Sequence, residues 1–176
     1  MRTITSPRLT LRPWELDDAD FLLDLESRWE TVRHLGPHAR QMTDQSEAVA
    51  SIERRRRLDD PVCGIWAITL TDDGRLLGNL LLKQIRLSEG VSGEAPVEIG
   101  WHLHPDAQGV GYATEAAEAV MRDAQSRGLE SLVAVTAPDN VASQRVCRRL
   151  GMEPAGATDD FYDTRNLLFT KTLSGR

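Results

Sequence analysis

The stretch VEIGWHLHPDAQGVGYAT, residues 97–114, decides the fold of this chain. Its first half has the apolar and β-branched residues of a strand, and its second half is a glycine-rich turn that opens a helix. Gly109 and Gly111 leave backbone amides uncovered, and the helix predicted over residues 114–127 places the positive end of its dipole behind them. Amides and dipole together favour an anion. The stretch therefore predicts a site for a phosphate or pyrophosphate, and with it a nucleotide-type cofactor.

The spacing of the glycines separates this turn from two common phosphate-binding turns. A dinucleotide-binding turn needs Gly-x-Gly-x-x-Gly, whereas the row here ends one residue short, at Ala113. A P-loop would need a Gly-Lys-Ser/Thr ending, which the sequence does not contain here. The spacing therefore disfavours a nucleotide-binding oxidoreductase. The row from Gln108 to Ala113 instead matches Gln/Arg-x-x-Gly-x-Gly/Ala.

Two further stretches accompany this row in a fixed order along the chain. Residues 139–152 are DNVASQRVCRRLGM, and residues 6–20 are SPRLTLRPWELDDAD. All three stretches together resemble the GNAT N-acetyltransferases, and the opening one resembles the branch that contains the ribosomal-protein-alanine N-acetyltransferases (RimJ/RimL-like). The resemblance covers nearly the whole chain. Met152 stands where the family favours Phe, and Arg149 where it often has Lys.

The resemblance implies an enzyme that moves the acetyl group of acetyl-CoA to a primary amine by direct attack. The acceptor would be a protein N-terminus or a small-molecule amine. The alternative is a GNAT-fold sensor or interaction module that binds acyl-CoA without turnover. The positions that the resemblance assigns to acetyl-CoA are Leu103, His104, Gln108, Gly109, Val110, Gly111, Tyr112, Ala113, Thr114, Asn140 and Ser143.

Acetyl transfer needs a base for the amine and a proton for the leaving thiolate. Glu98 is the candidate base, since the family often uses a glutamate on this strand, usually through water; the alternative is a partly exposed carboxylate on a sheet edge. Ser143 is the candidate proton donor, as in the ribosomal branch, although it could instead hold the helix start or the thiol arm of the cofactor. Many family members use a tyrosine here, but the chain has only Tyr112, in the loop itself, and Tyr162.

The histidines and the late acidic residues allow further expectations. His102 and His104 point to one side of a strand, but no third ligand lies at metal spacing, so no metal site is predicted. His34 and His38 flank a Gly36-Pro37 break, where the family places acceptor-binding residues. Asp159, Asp160 and Asp163 would either steer a cationic acceptor or form an ordinary solvated turn.

Length and composition predict one domain over residues 1–176, because 176 residues with 40% hydrophobic content suffice for one core. No apolar run approaches the roughly 20 residues that span a bilayer, and no leader is evident, so a cytoplasmic protein without a membrane partner is expected. Cys63 and Cys147 are predicted to be buried free thiols. A net charge of -6 predicts no nucleic-acid partner, and residues 54–57, four arginines, are expected to form a solvated helix end. The sequence leaves a homodimer open.

Hydrophobic periodicity predicts an α/β fold with the order β-α-α-β-β-β-α-β-α-β-β, as in the GNAT fold. The expected architecture is a mixed, mostly antiparallel sheet of about seven strands flanked by about four helices. Strands are predicted over residues 3–12, 65–70, 76–82, from 97, 131–136, 152–158 and 165–173. Helices are predicted over residues 17–28, 44–58, 114–127 and from a cap at Asn140 to residue 150.

Overall fold

The computed structural model describes residues 1–36, 38–58 and 60–173; Pro37 of the expected break lies outside these residues. The described helices are α1 (Ala19–Ser27), α2 (Trp29–Val32), α3 (Gln45–Arg56), α4 (Tyr112–Ser126) and α5 (Val141–Arg149). The described strands are β1 (Ile4–Thr5), β2 (Leu9–Pro13), β3 (Gly64–Leu70), β4 (Leu76–Gln84), β5 (Val97–Leu103), β6 (Ser131–Thr136), β7 (Glu153–Thr158) and β8 (Asn166–Thr172). No helix within the described ranges is long and apolar enough to cross a membrane.

The strands form a single sheet in the order β1-β2-β3-β4-β5-β6-β8-β7, in which only β5 and β6 run parallel. This confirms the mixed, mostly antiparallel sheet. The single strand expected over residues 3–12 is wrong, because the chain turns back after β1. Ser6 donates its backbone N–H to the Leu9 carbonyl and its hydroxyl accepts from the Leu9 N–H, while Pro7 has no N–H to continue a ladder.

Helices cover both faces of the sheet and bury two clusters of apolar side chains. On one face, α1 and α3 pack through Leu22, Leu25 and Ile52 around the fully buried Trp14. On the other face, the apolar stripe of α4 packs against β2, β4 and β5 in the larger cluster. Each of these helices thus packs one apolar stripe against the sheet.

The pairing between β5 and β6 is unlike the other pairings of the sheet. β5 pairs with β4 at seven register positions but with β6 at one, Glu98 with Val133. The two strands therefore diverge beyond Glu98. A gap opens in the middle of the sheet, between the end of β5, the start of α4 and the start of α5, and this gap positions the site.

Candidate active site

The gap between β5 and β6 widens into a cleft of about 970 Å³. One wall comes from α4, α5 and the end of β6, and the other comes from α1, α2 and α3. The predicted site residues that line it are Glu98, Leu103, Gln108, Gly109, Gly111, Tyr112, Ala113, Thr114, Asn140 and Ser143. His104 and Val110 are not among its lining residues. The folded chain thus brings together two of the three stretches, residues 97–114 and 139–152, which are far apart in sequence.

The glycine-rich turn presents a row of free donors at one end of the cleft. Within the described chain, the backbone amides of residues 109–114 make no hydrogen bond, and the last three of them belong to the first turn of α4. Gly109 has φ +80° and Gly111 has φ +89°, a left-handed conformation that only glycine adopts without strain. Free amides at a helix N-terminus bind phosphate groups well. The geometry therefore fits the anionic end of a coenzyme.

Two buried hydroxyls on the α4 and β6 side of the cleft also lack partners in the described chain. They are Thr114 Oγ1, in the first turn of α4, and Thr136 Oγ1, at the end of β6. Buried hydroxyls are nearly always hydrogen-bonded, so unpaired ones on a cleft wall indicate a polar ligand. Together with the turn they form a polar path into the sheet, which fits a long coenzyme arm.

Contacts from the first hairpin hold the turn in place. Arg8 donates to the Val110 carbonyl (Nη1–O 3.3 Å) and to Glu115 in the first turn of α4 (Nε–Oε2 2.6 Å), and its guanidinium lies 4.7 Å from the centre of the Tyr112 ring. The Ser6 hydroxyl donates to the same Glu115 carboxylate. The Val110 carbonyl therefore helps to fix the turn by accepting from Arg8, while the Val110 side chain is 53% exposed outside the cleft.

Glu98 lies on the central strand β5, between Lys83 of β4 and Val133 of β6. It is 7% exposed, so the alternative of a partly exposed carboxylate on a sheet edge is wrong. Burial raises the pKa of Glu98, and the hydrogen bond from Tyr162 and the charge of Lys83 offset only part of that rise. A carboxylate with a raised pKa on a cleft wall has the properties of a general base.

Tyr162 lines the cleft, and the sequence prediction gave it no role. Its hydroxyl donates to Glu98 Oε2, and burial and the neighbouring carboxylate raise the pKa of this hydroxyl. Tyr162 and Asp163 have φ values of +62° and +55°, unusual for side chains of this size. Ser88 holds this conformation, because its Oγ accepts from the Asp163 N–H and its N–H donates to the Asp160 carbonyl.

The acidic residues of the same turn are engaged with arginines. Asp163 pairs with Arg86, and Asp159 pairs with Arg165 (Oδ2–Nη1 2.5 Å). Neither carboxylate, nor Asp160, is among the residues that line the cleft. The turn therefore positions Tyr162, and its carboxylates offer little net charge for steering a cation.

Asn140 caps α5, because its Oδ1 accepts from the Ser143 backbone N–H at 3.2 Å. Both residues also line the cleft, so the cap fixes the place of the Ser143 hydroxyl beside the gap. Ser143 is half-buried.

The opposite wall carries a charged cluster that the sequence prediction did not identify. Glu26 Oε1 accepts from Arg55 and faces His102 Nε2 at 3.0 Å. Burial raises the pKa of Glu26, but the hydrogen bond with His102 and the charge of Arg55 outweigh it and lower the pKa to about 2. Arg55 is thus an exception to the solvated helix end expected for residues 54–57. Glu26 lies four residues after Leu22, on the apolar side of α1, and this misplaced charge is the signal that could have been noticed.

The remaining histidines have separate surroundings. His104 accepts from the Asp106 N–H and lies 3.0 Å from Asp24 of α1. His34 lines the cleft, whereas the exposed His38 does not. Among the described residues, no three His, Cys, Asp or Glu side chains are grouped as metal ligands.

Comparisons with known proteins agree with this geometry. Residues 8–153 match the model of the acetyltransferase (GNAT) domain. The chain is 25% identical over 154 residues to YnaD, an uncharacterized N-acetyltransferase of Bacillus subtilis (strain 168). The aligned residues cover 87% of this chain and 84% of YnaD. Both matches therefore extend over more than four-fifths of the chain, and both are to acetyltransferases.

Solved structures share the fold at lower identity. A GNAT-family acetyltransferase from Bacillus anthracis has a TM-score of 0.79 at 19% identity, covering 98% of this chain and 99% of that one. RimL, the ribosomal L7/L12 alpha-N-protein acetyltransferase, solved in complex with coenzyme A, has a TM-score of 0.76 at 19% identity, covering 97% and 98%. The family model, the shared fold and the cleft lead to one conclusion: this chain belongs to the GNAT acetyltransferase family, as its sequence predicted.

Proposed function

We propose that this chain, as one domain over residues 1–176, transfers the acetyl group of acetyl-CoA to a primary amine by direct attack. One observation carries the proposal: the cleft that begins at the free amides of residues 109–114 also contains the buried carboxylate of Glu98. A candidate anion site and a candidate base with a raised pKa therefore share one cleft. The non-catalytic alternative does not explain a buried carboxylate that is held by Tyr162.

In the proposed reaction, acetyl-CoA supplies a thioester carbonyl. Glu98 takes a proton from the ammonium form of the acceptor, and the free amine forms the new C–N bond as the C–S bond breaks. The raised pKa of Glu98 brings the carboxylate closer to the basicity that this step needs. Ser143, which lines the cleft at the start of α5, is the candidate that gives a proton to the departing sulfur. The nitrogen loses its second proton as the amide forms, and this proton restores the Ser143 hydroxyl. A chain of water molecules between the amine and Glu98 would carry the first proton to the carboxylate.

We assign the cofactor contacts to the residues that line the cleft at α4 and α5. The amides of Gly109, Gly111, Tyr112 and Ala113 bind the pyrophosphate, and Asn140 and Ser143 contact the arm that carries the thiol. His104 is left out of this set. Cys63 and Cys147 are buried, and burial raises their pKa values to about 11 and about 12, so neither has the low pKa of a reactive thiol. Both are free rather than paired in a disulfide, which supports a reducing, cytoplasmic location.

The acceptor is either a protein N-terminus, as the RimL likeness favours, or a small-molecule amine. The test incubates the protein with acetyl-CoA and a panel of N-terminal peptides, amino acids, aminoglycosides and polyamines, and measures free thiol. Release that depends on one acceptor class is the expected result. Tight CoA binding with no thiol release above the hydrolysis rate for any acceptor would instead establish the non-catalytic alternative.

A further inference from the structure

The acceptor wall, formed by Glu26, Thr31, Arg55 and His102, is built around a fixed guanidinium. Arg55 donates through Nη2 to Glu26, and its guanidinium lies 5.3 Å from the centre of the buried Trp14 ring. Trp14 is itself held by a hydrogen bond from its Nε1 to Asn79 Oδ1 (3.0 Å). Arg55 therefore keeps one orientation before any ligand arrives, which lowers the entropic cost of binding.

Two polar atoms of this wall have no partner in the described chain. They are Arg55 Nη1 and Thr31 Oγ1, both shielded from bulk solvent, on residues that line the cleft. Thr31 as a whole is 7% exposed. A buried donor without a partner costs about 1–3 kcal/mol, and more when it is charged. A ligand group that accepts hydrogen bonds would remove this cost.

The charge of the wall indicates what kind of acceptor group fits. The cleft-lining residues of α2, α3 and the turn after α2 include the cations Arg33, Arg54 and Arg55, against the acids Glu30 and, from α1, Glu26. Glu26 stays ionised to low pH and is already occupied by Arg55 and His102. Because Glu26 and Arg55 offset each other, the wall and its neighbours keep one positive charge in excess, which favours an anion over a polycation.

We propose that Arg55 and Thr31 bind an anionic oxygen group of the acceptor, a carboxylate or a phosphate, so that the substrate is an amine that also bears negative charge. This proposal rests on the proposed function and narrows its substrate class. An amine without the anionic group should be a poor substrate, because the two donors would then stay buried and unpaired.

The test compares matched pairs of acceptors that differ only in the anionic group. Phenylalanine is paired with phenethylamine, leucine with isoamylamine, and each amino acid with its aminophosphonate and its amide. In the wild type, kcat/KM for an anionic acceptor is expected to exceed that for its uncharged partner at least tenfold. The aminophosphonate arm distinguishes phosphate from carboxylate recognition, and a preference for the amide or the bare amine overturns the proposal.

Two variants make the assignment specific to this wall. Thr31→Val keeps the shape of the side chain and removes an unpaired hydroxyl, so Tm should stay equal or rise while the anion preference falls about tenfold. Arg55→Gln should abolish the preference, and the neighbouring Arg56→Gln, exposed on the same helix, is the matched control. An unchanged preference in Thr31→Val overturns the proposal. Absence of thiol release with every amine, by contrast, is a failure of the proposed function.

Discussion

Glu98 and Tyr162 are 64 residues apart in sequence and share one hydrogen bond in the cleft. The carboxylate belongs to a residue that lines the cleft we assign to the coenzyme. The tyrosine hydroxyl adjusts how readily this carboxylate takes a proton. With Glu98 as the proposed base, the Tyr162 hydroxyl therefore helps to set its basicity.

The variant Glu98→Gln removes the base and keeps the shape of the side chain. We expect kcat/KM at neutral pH to fall by about 10²–10⁴-fold, while CoA affinity measured by calorimetry stays nearly unchanged. An acceptor amine of low pKa should restore part of the rate, because it needs no base. Glu53→Gln, exposed on α3, is the control. Normal turnover by Glu98→Gln across the pH range would make Glu98 structural.

The variant Tyr162→Phe removes the hydrogen bond that lowers the pKa of Glu98. The pKa of Glu98 should therefore rise further, and the inflection of kcat/KM against pH should move to higher pH. The rate below the inflection falls, because less of the base is ionised there. The double variant with Glu98→Gln should show no such inflection. A pH profile identical to that of the wild type would separate Tyr162 from the base.

At the scale of the element, α4 and the turn before it form the cofactor end of the site. The variant Gly111→Val places a β-branched residue at φ +89°, where the strain is about 1–3 kcal/mol. The turn should relax away from the conformation that exposes its amides, so CoA affinity should fall at least 100-fold in calorimetry.

Gly128→Val is the matched control, because Gly128 has φ +92° beyond the other end of the same helix. It should lose similar stability in thermal unfolding but keep CoA affinity. Wild-type affinity in Gly111→Val would contradict the assignment of the turn to the pyrophosphate.

The elements that sequence patterns predicted well are those whose causes are local. The turn at Gly109 and Gly111 and the cap at Asn140 both follow from residues within a few positions. The start of α4 at Tyr112 depends instead on a long-range contact, that of Arg8 with Glu115. Tyr162, Thr31 and Arg55 were not assigned to the site because only the tertiary fold brings them there.

At the scale of the whole molecule, the Glu26 cluster couples stability to pH. The pKa of Glu26 is about 2 in the folded protein and returns to 4.5 on unfolding. Its stabilisation is therefore fully present above pH 4.5 and is lost as the pH falls towards 2, a change of about 3 kcal/mol.

Glu26→Gln should therefore be less stable than the wild type at neutral pH, with a difference that shrinks through this window. Denaturant unfolding at a series of pH values measures it, with Glu53→Gln as baseline. A difference that does not vary between pH 5 and pH 2 would mean that Glu26 is not held as a carboxylate.

The single register position between β5 and β6 has a consequence for self-association. Beyond Glu98, each of these strands has one side without a strand partner in the described chain, so the sheet contains an internal edge. Unpaired strand edges recruit strands from other molecules. Here the walls of the cleft shield that edge, and loosening α5 would uncover it. Partial unfolding should therefore lead to aggregation through added strands, and light scattering during gentle heating should show that bound CoA delays it.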